Sequence, residues 1–217
     1  MYNVRPNLLL GFHGCDLEVA EKLINSPNRI LKSEKPFDWL GHGMYFWENN
    51  ITRAFQWAKD KEKRGEINKA AVVGAVLTLD NCLDLLDSGS IGLLETYFEL
   101  FKFELELAGK KLPENLDASH DQFKDKLKRE LDCAVIEYLH KKMDQEISLN
   151  IEELGYSEIR PFDSVRGFFT EGGPAFPGSA IQQKNHTQIC IRNANCIKGF
   201  FKPRSEKTFP QQKSHQS

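Results

Sequence analysis

The amino-acid sequence predicts an α+β fold, because strand-like apolar segments occupy its two ends and helical patterns occupy its middle. Residues 8–12 and 70–79 are apolar runs of the length expected for buried strands. Between residues 88 and 150, large apolar side chains recur at steps of three and four, as in amphipathic helices. We therefore expect one domain over residues 1–204, with a helical insertion at about 88–150 and a polar tail at 205–217.

Strands and helices alternate in the first 80 residues. After the strand at 8–12, Asp16 has the character of a helix N-cap. The helix that follows has an apolar face formed by Val19, Ala20, Leu23 and Ile24. A polar loop at 29–38 is expected to lie over the mouth of a cleft, and residues 44–47 form a second strand. Asn50 can cap a further helix, whose inward residues are Ala54, Trp57 and Ala58.

The middle of the chain predicts a helical hairpin, and the last third returns to strand. One helix carries Ile91, Leu94, Tyr97, Phe98, Phe101 and Leu105. A second helix, ending at 140–142, carries Phe123, Leu127, Leu131, Val135 and Tyr138. Residues 166–178 are rich in glycine and proline and predict a loop. Residues 187–192 then alternate as a strand, with Ile189 and Ile191 on one face and Gln188, Cys190 and Arg192 on the other, before a last strand at 196–201.

Composition excludes several classes of function. The formal net charge of −2 argues against a surface that binds nucleic acid by bulk electrostatics. The five cysteines are scattered and form no Cys-x-x-Cys pair, so neither a disulfide framework nor a zinc site is expected, and we expect no metal. No apolar run approaches the ~20 residues that a membrane helix needs, so we expect a cytoplasmic protein without a membrane partner.

Two short motifs indicate a binding pocket. The first strand ends in His13-Gly14, and Gly41-His42-Gly43-Met44-Tyr45-Phe46 opens the second. Glycines let the backbone bend and let a ligand approach closely, and the aromatic rings that follow can stack on a planar group. The structural alternative is a strand that fills a core with aromatic side chains, which are commonly buried.

These motifs together resemble the poly(ADP-ribose) polymerase-like branch of the ADP-ribosyltransferases, the enzymes related to diphtheria toxin. In that family, a strand ending in His-Gly and a later Gly-x-Gly-x-Tyr-Phe strand form the floor of the NAD pocket. The resemblance implies a small split β-sheet with flanking helices and NAD as co-substrate. The sequence around both motifs is similar to a bacterial toxin or phage-defence branch rather than to the eukaryotic polymerases.

The resemblance assigns roles to the motif residues. ADP-ribosyl transfer breaks the bond between nicotinamide and ribose through an oxocarbenium-like transition state, which requires a held leaving group and nearby negative charge. His13 would bond a ribose hydroxyl, and the backbone of Gly14 would meet the nicotinamide amide. Tyr45 would stack on the nicotinamide, while Gly43 and Phe46 would complete the floor and wall.

The third catalytic position departs from the polymerases, which have a glutamate there. In this chain Gln188 takes that place, and because glutamine carries no charge we expect transfer of a single ADP-ribose rather than chain elongation. Glu171, in the preceding loop, could supply the carboxylate instead, and Arg166 could bind the NAD pyrophosphate or an acceptor phosphate. The family's small hydroxyl residue and second aromatic wall fall on Arg53 and Gln56.

The resemblance also implies partners. Bacterial relatives of this kind modify macromolecules and are often held inactive by an antitoxin protein. Nucleic acid, specifically RNA, is favoured slightly over protein as the acceptor, since basic residues could form a local rim, namely Arg166, Lys184, Arg192, Lys198, Lys202 and Arg204. The alternatives are a protein-directed transferase, an NAD-hydrolysing toxin, and a non-catalytic module that binds NAD or ADP-ribose. His42 and His186 are treated as structural, although His186 shares a strand face with Gln188.

Overall fold

Eight strands form one mostly antiparallel sheet in the computed structural model, which describes residues 4–5, 8–119 and 121–204. The strand order is β1-β5-β8-β9-β3-β2-β4-β10. The strands of this sheet are β1 (Val4–Arg5), β2 (Leu9–Asp16), β3 (Met44–Glu48), β4 (Ala70–Leu77), β5 (Asp80–Asp84), β8 (Ser164–Phe169), β9 (His186–Ile191) and β10 (Ile197–Phe201). The expected α+β class is confirmed, and the tail expected at 205–217 lies outside the described residues.

Among the described residues, four α-helices accompany the sheet. They are α1 (Leu17–Asn25), α2 (Ile51–Lys63), α3 (Ser88–Leu107) and α4 (Glu130–Leu154). A separate two-stranded ribbon, β6 (Asn115–Leu116) and β7 (Lys128–Arg129), joins α3 to α4. None of the described helices has both the length and the apolar composition needed to cross a bilayer.

Polar side chains begin three of these helices. The Asp16 carboxylate accepts from the backbone N–H of Glu18, and Asn50 accepts from Arg53 in the same way, so both predicted N-caps are confirmed. Asp87 caps α3 through the N–H of Ser90. Because Asp16 is the last residue of β2, its cap fixes the turn that carries the chain from the sheet into α1.

The sheet has two differently covered faces. On the α1 face, Ala20 and Leu23 of α1 join a buried cluster with Phe46 and Ile189, whereas Val19, expected on the apolar side of α1, is exposed. On the α4 face, Ile136 and Leu139 of α4 pack against sheet residues that include Leu83, Val165 and Cys190. Strand alternation places Ile189 and Ile191 on the α1 face and Cys190 on the α4 face, as the sequence predicts.

The second helix of the insertion was predicted with the wrong limits. Phe123 and Leu127 lie before α4, in a loop where Lys124 and Lys126 adopt positive φ angles of 56° and 51°. Positive φ interrupts a right-handed helix, and the Asp121 carboxylate accepts from Phe123 and Asp125 to hold the loop in turns. The helix also continues past 142 to Leu154 and ends at Gly155, in the left-handed region with φ 79°.

Residues 166–169 were predicted as loop and are strand. They belong to β8, which pairs parallel with β5 and antiparallel with β9. Gly167 in this strand has a packing reason, because a Cβ there would lie 2.7 Å from the ring of Trp39, which crosses the sheet at this point. The strand predicted at 70–79 ends at Leu77 instead, before a turn in which Asp80 has φ 46°.

Candidate functional site

The sheet opens between its two motif strands. β2 and β3 pair only through Gly11–Glu48 and Phe12–Trp47, while β2 continues to pair with β4 as far as Asp16. The strands therefore separate at His13-Gly14 on one side and at Tyr45 on the other. We call this gap the β2–β3 cleft.

The ladder geometry directs backbone groups of Gly14 and Tyr45 into the cleft. Residues two apart in a strand point their N–H and C=O groups to the same side, and the C=O of Leu10 accepts from Asn49, on the β3 side. Gly14 therefore also points toward β3, beyond the last β2–β3 pair. Backbone donors and acceptors that face such a gap can bind a planar amide.

His13 bridges the cleft with its side chain. Its Nδ1 lies 2.8 Å from the carbonyl oxygen of Tyr45. A carbonyl only accepts, so Nδ1 carries the proton, and Nε2 is left as an acceptor with no hydrogen-bond partner among the described residues. Burial lowers the pKa of the imidazole, partly offset by the bond to Tyr45, so the ring is neutral near pH 7. A neutral Nε2 suits a ribose hydroxyl as donor.

Tyr45 lies on the α4 face, held at its hydroxyl. The hydroxyl donates to the carbonyl of Gly41 at 2.8 Å and accepts from the N–H of Leu40 at 2.9 Å. Burial raises the pKa of this phenol well above its ordinary value, so it stays protonated. Segment 38–41 is thereby fixed at the hydroxyl end of the ring.

Helix α2 lies directly on Gly14. A Cβ at position 14 would fall against the carbonyl oxygen of Ala54, well inside contact distance, so only glycine fits. Phe46 and Gly43 have structural neighbours instead. Phe46 is fully buried in the core of the α1 face, and Gly43 is packed against Cys190 and Ile191 of β9.

Gln188 anchors an aromatic side chain. It is 8% exposed, and its Oε1 accepts from the indole Nε1 of Trp39 at 2.6 Å. Its partner across the strand pair is Trp47, so both lie on the α4 face with Tyr45. The sequence named Gln188 as a catalytic residue, and the structure gives it a positioning contact.

Glu171 is buried and forms an ion pair with Arg53 of α2. Two neighbours hold the loop that carries it: the N–H of Gly172 donates to Asp125, and the N–H of Lys184 donates to the carbonyl of Glu171. Phe123 packs against Gly173 in the same loop. The loop before α4 therefore supports Glu171, and the inserted helices take part in building this site.

Several buried polar atoms near Glu171 lack partners among the described residues. They are Nε and Nη1 of Arg53, Nε1 of Trp47 and Nε2 of His186. The Nδ1 of His186 lies 2.6 Å from the carbonyl of Lys184, so its Nε2 is an acceptor, while the atoms of Arg53 and Trp47 are donors. Burial lowers the pKa of His186 to about 4. Because buried polar groups are normally paired, this set indicates a ligand with both acceptor and donor atoms.

Arg166 does not face these residues. It lies on the α1 face, where its guanidinium contacts Glu48 at 2.6 Å and Asp84 at 3.3 Å. These ion pairs raise its pKa despite burial. His42 lies near α4, with its Nδ1 3.4 Å from Glu137.

The six residues of the expected basic rim lie in different places. Arg192 forms an ion pair with Glu137, as Arg166 does with Glu48. Lys198 lies on β10, at the sheet edge opposite to β1, and Lys202 and Arg204 follow that strand. Lys184 lies beside the Glu171 loop, where its side chain packs over Gly172.

Two surface hollows lie along α4, and of the motif residues only His42 lines one of them. One of about 620 Å³ is lined mostly by polar and charged side chains of α4, and one of about 430 Å³ shares Glu137, His140 and Arg192 with it. Glu137 and Arg192 already pair with each other. Within residues 8–119 and 121–204, no group of three or more metal-ligating side chains occurs.

Two site residues were missed by the sequence analysis. Trp39 was in the quoted motif but received no role, and Arg129 precedes α4, in a stretch predicted as helix. The guanidinium of Arg129 lies 3.8 Å from the ring centroid of Phe169 and 5.2 Å from that of Trp39. Both contacts join residues far apart in sequence, so no local pattern signals them.

Comparison with known proteins adds a related sequence but no activity. The chain is 26% identical over 206 residues to an uncharacterized protein of Methanocaldococcus jannaschii, and the match covers 86% of this chain and 83% of that protein. No protein-family model matches the chain. No solved structure matches it.

Proposed function

We propose that the protein is a mono-ADP-ribosyltransferase with the split sheet of that family, which cleaves NAD and transfers one ADP-ribose to a macromolecule. The observation that carries the proposal is the β2–β3 cleft. It brings together an unpartnered, neutral Nε2 of His13, the outward backbone of Gly14 and the carbonyl of Tyr45, whose aromatic ring lies on the α4 face of the same strand. These are the groups that the family motifs assign to ribose, nicotinamide amide and nicotinamide ring.

The proposed chemistry uses Glu171 as the carboxylate. When the bond between nicotinamide and C1 of the ribose breaks, its electron pair leaves with nicotinamide and positive charge develops on the ribose. A buried carboxylate opposite that charge stabilises the transition state, and it can take the proton of the attacking acceptor group. Gln188 can do neither, since it is uncharged and its oxygen already accepts from Trp39.

The proposed acceptor is RNA. Lys184, beside the Glu171 loop, supports this acceptor, whereas Arg166 and Arg192 are already in ion pairs. A protein acceptor is the alternative. The proposed biological role is that of a bacterial toxin or phage-defence effector whose activity an antitoxin protein restrains.

A direct test incubates the purified protein with labelled NAD and separate pools of RNA, DNA and protein. We expect label in the RNA pool, and we expect His13→Ala and Tyr45→Ala to abolish transfer. Tyr156→Ala, at a tyrosine that is 60% exposed just past the end of α4, is the matched control and should transfer normally. Intact NAD in every pool would overturn the proposal, and free ADP-ribose without labelled acceptor would identify a hydrolase instead.

A second candidate function is a non-catalytic module that binds NAD or ADP-ribose. Gln188 favours it, because this residue brings no carboxylate to the third catalytic position and its oxygen already accepts a hydrogen bond from Trp39. This module would bind NAD without consuming it. Measuring NAD binding alongside NAD consumption separates the two functions.

A further inference from the structure

The diphosphate of a dinucleotide carries two negative charges, which an arginine side chain can bind through charge-assisted hydrogen bonds. The sequence assigned this role to Arg166. In the structure Arg166 is committed to Glu48 and Asp84 on the α1 face, opposite to Tyr45. Arg192 is likewise committed to Glu137. Neither can reach the cleft without breaking an ion pair.

Arg129 lies on the α4 face of the sheet, the face that carries the ring of Tyr45. Its guanidinium stacks 3.8 Å from the ring centroid of Phe169, and Phe169 in turn stacks on His186 with centroids 5.5 Å apart. It also lies 5.2 Å from the ring of Trp39, the residue bonded to Gln188. Arg129 therefore contacts Trp39, a residue of segment 38–41, which also bonds the hydroxyl of Tyr45.

The guanidinium of Arg129 is only loosely engaged. Its Nε donates to the carbonyl of Lys126 at 3.2 Å, and its Nη1 lies 4.0 Å from Asp132. Asp132 accepts a shorter bond from Asn115 at 2.7 Å, and nearby Asp125 accepts from Gly172. Two aromatic rings hold the planar group in place while its terminal nitrogens keep capacity for an oxyanion.

Arg53 adds a second observation that points to a ligand. It is 93% buried, as its 7% exposure shows, and its Nε and Nη1 atoms have no partner among the described residues. His186 lies between the two arginines. The ring of Phe169 separates it from Arg129, and the ring of Trp47 lies 6.0 Å from the His186 ring. Guanidinium donors thus approach this part of the α4 face from both α2 and the start of α4.

We propose that Arg129, rather than Arg166, binds the diphosphate of NAD, which makes the loop before α4 a part of the substrate site. This inference rests on the proposed function, because it names the residue that holds one part of the same co-substrate. Trp39 and Phe169 act as positioning residues that keep the guanidinium plane fixed.

The test measures dissociation constants by calorimetry for NAD, ADP-ribose, inorganic pyrophosphate and nicotinamide. Arg129→Gln should weaken ADP-ribose and pyrophosphate roughly 10- to 100-fold, the range for a lost charge-assisted pair. Nicotinamide carries no phosphate and should bind unchanged, which also shows that the variant is folded. Arg129→Lys should lose less affinity for ADP-ribose and pyrophosphate, because lysine keeps the positive charge but lacks the planar guanidinium. Arg166→Gln is the matched control and should leave ADP-ribose affinity within about twofold of the wild type.

The outcomes separate this inference from the proposed function. If the wild type binds NAD but Arg129→Gln binds ADP-ribose as well as the wild type does, Arg129 has no such role and the transferase proposal stands. If Arg166→Gln weakens ADP-ribose instead, the original assignment is restored. If the wild type binds pyrophosphate through Arg129 but neither NAD nor nicotinamide, the anion site survives and the transferase proposal fails.

Discussion

At the scale of single residues, the Arg53–Glu171 ion pair distinguishes this site. Both side chains are buried, and removing one partner of a buried pair typically costs about 3–5 kcal/mol because the other charge is left uncompensated. In the proposed transferase, Arg53 stands at the position that the resemblance assigns to a small hydroxyl residue. Its ion pair with Glu171 fixes a carboxylate from the neighbouring loop, which the proposed mechanism uses in place of a glutamate at position 188.

Glu171→Gln tests this role. The amide keeps an oxygen toward Arg53 but removes the negative charge, so we expect turnover to fall at least about 100-fold while NAD affinity changes less than about threefold. Steady-state kinetics with labelled NAD and calorimetric binding give the two numbers. Gln188→Glu is the matched comparison, because its carboxylate can still accept from Trp39 and NAD should bind normally. Near wild-type turnover in Glu171→Gln would remove Glu171 from the mechanism.

Sequence could predict that the strands carrying His13 and Tyr45 lie close together, because each residue belongs to a local motif whose glycines and aromatics are contiguous. It could not predict the contacts of Arg129 or Gln188. The indole of Trp39 reaches Gln188 across 149 residues of chain, and the position of Arg129 depends on where α4 begins. Tertiary contacts of this length leave no periodic trace in the sequence.

At the scale of elements, the position of α2 decides the geometry of the cleft. Asn50 starts the helix immediately after β3, and its backbone then crosses Gly14 so closely that no side chain is accommodated. The N-cap at Asn50 and the absence of a side chain at Gly14 therefore let α2 pack against β2, the strand that carries His13. The pair Trp47 and Trp57, with ring centroids 5.4 Å apart, extends this contact along α2.

Gly14→Ala is expected to displace α2. The added methyl would meet the backbone oxygen of Ala54, which cannot rotate away, so we expect a loss of about 3 kcal/mol or more in the free energy of unfolding. Gly199→Ala on β10 is the control, since a Cβ there meets nothing within 4 Å. Urea denaturation of both variants measures the difference. Equal stability of the two variants would show that α2 does not rest on Gly14.

The elements themselves were predictable to different degrees. The limits of α3 agree with its apolar periodicity, because Asp87 caps it and its pattern is uninterrupted. The helical spacing of apolar residues also includes Phe123 and Leu127, but this stretch forms turns, with positive φ angles at Lys124 and Lys126. In β8 the local glycine signal favoured a loop, but pairing with strands on both sides imposed an extended conformation.

At the scale of the whole molecule, the buried His140 and His186 and the partly buried His13 couple stability to pH. Burial is the largest cause of the lowered pKa in each, to about 3 for His140 and about 4 for His186, and also for His13. The folded protein therefore prefers these rings neutral, whereas the unfolded chain binds protons at an ordinary pKa near 6.5. Their stabilising contribution is complete above pH 6.5 and is lost as the pH falls toward 4.

Lowering the pH from 7.5 to 5.0 should reduce the free energy of unfolding by about 2 kcal/mol for each fully shifted histidine. Urea unfolding at the two pH values measures this loss. His140→Leu removes one of the titrating groups, so its loss should be about 2 kcal/mol smaller than that of the wild type. An identical pH dependence in both proteins would show that His140 is protonated equally in the folded and unfolded chain.

All five cysteines are buried, and burial raises the pKa of Cys15, Cys133 and Cys196 to about 12. An alkylating reagent that attacks thiolates should consequently not modify the native molecule. It should label a cysteine only when the surrounding segment unfolds. Mass spectrometry after a brief iodoacetamide pulse would then report where opening occurs first. We expect Cys190, enclosed between the sheet and α4, to be labelled no earlier than Cys15 as urea is raised. The chain thus carries its own internal probes of local unfolding, without any engineered label.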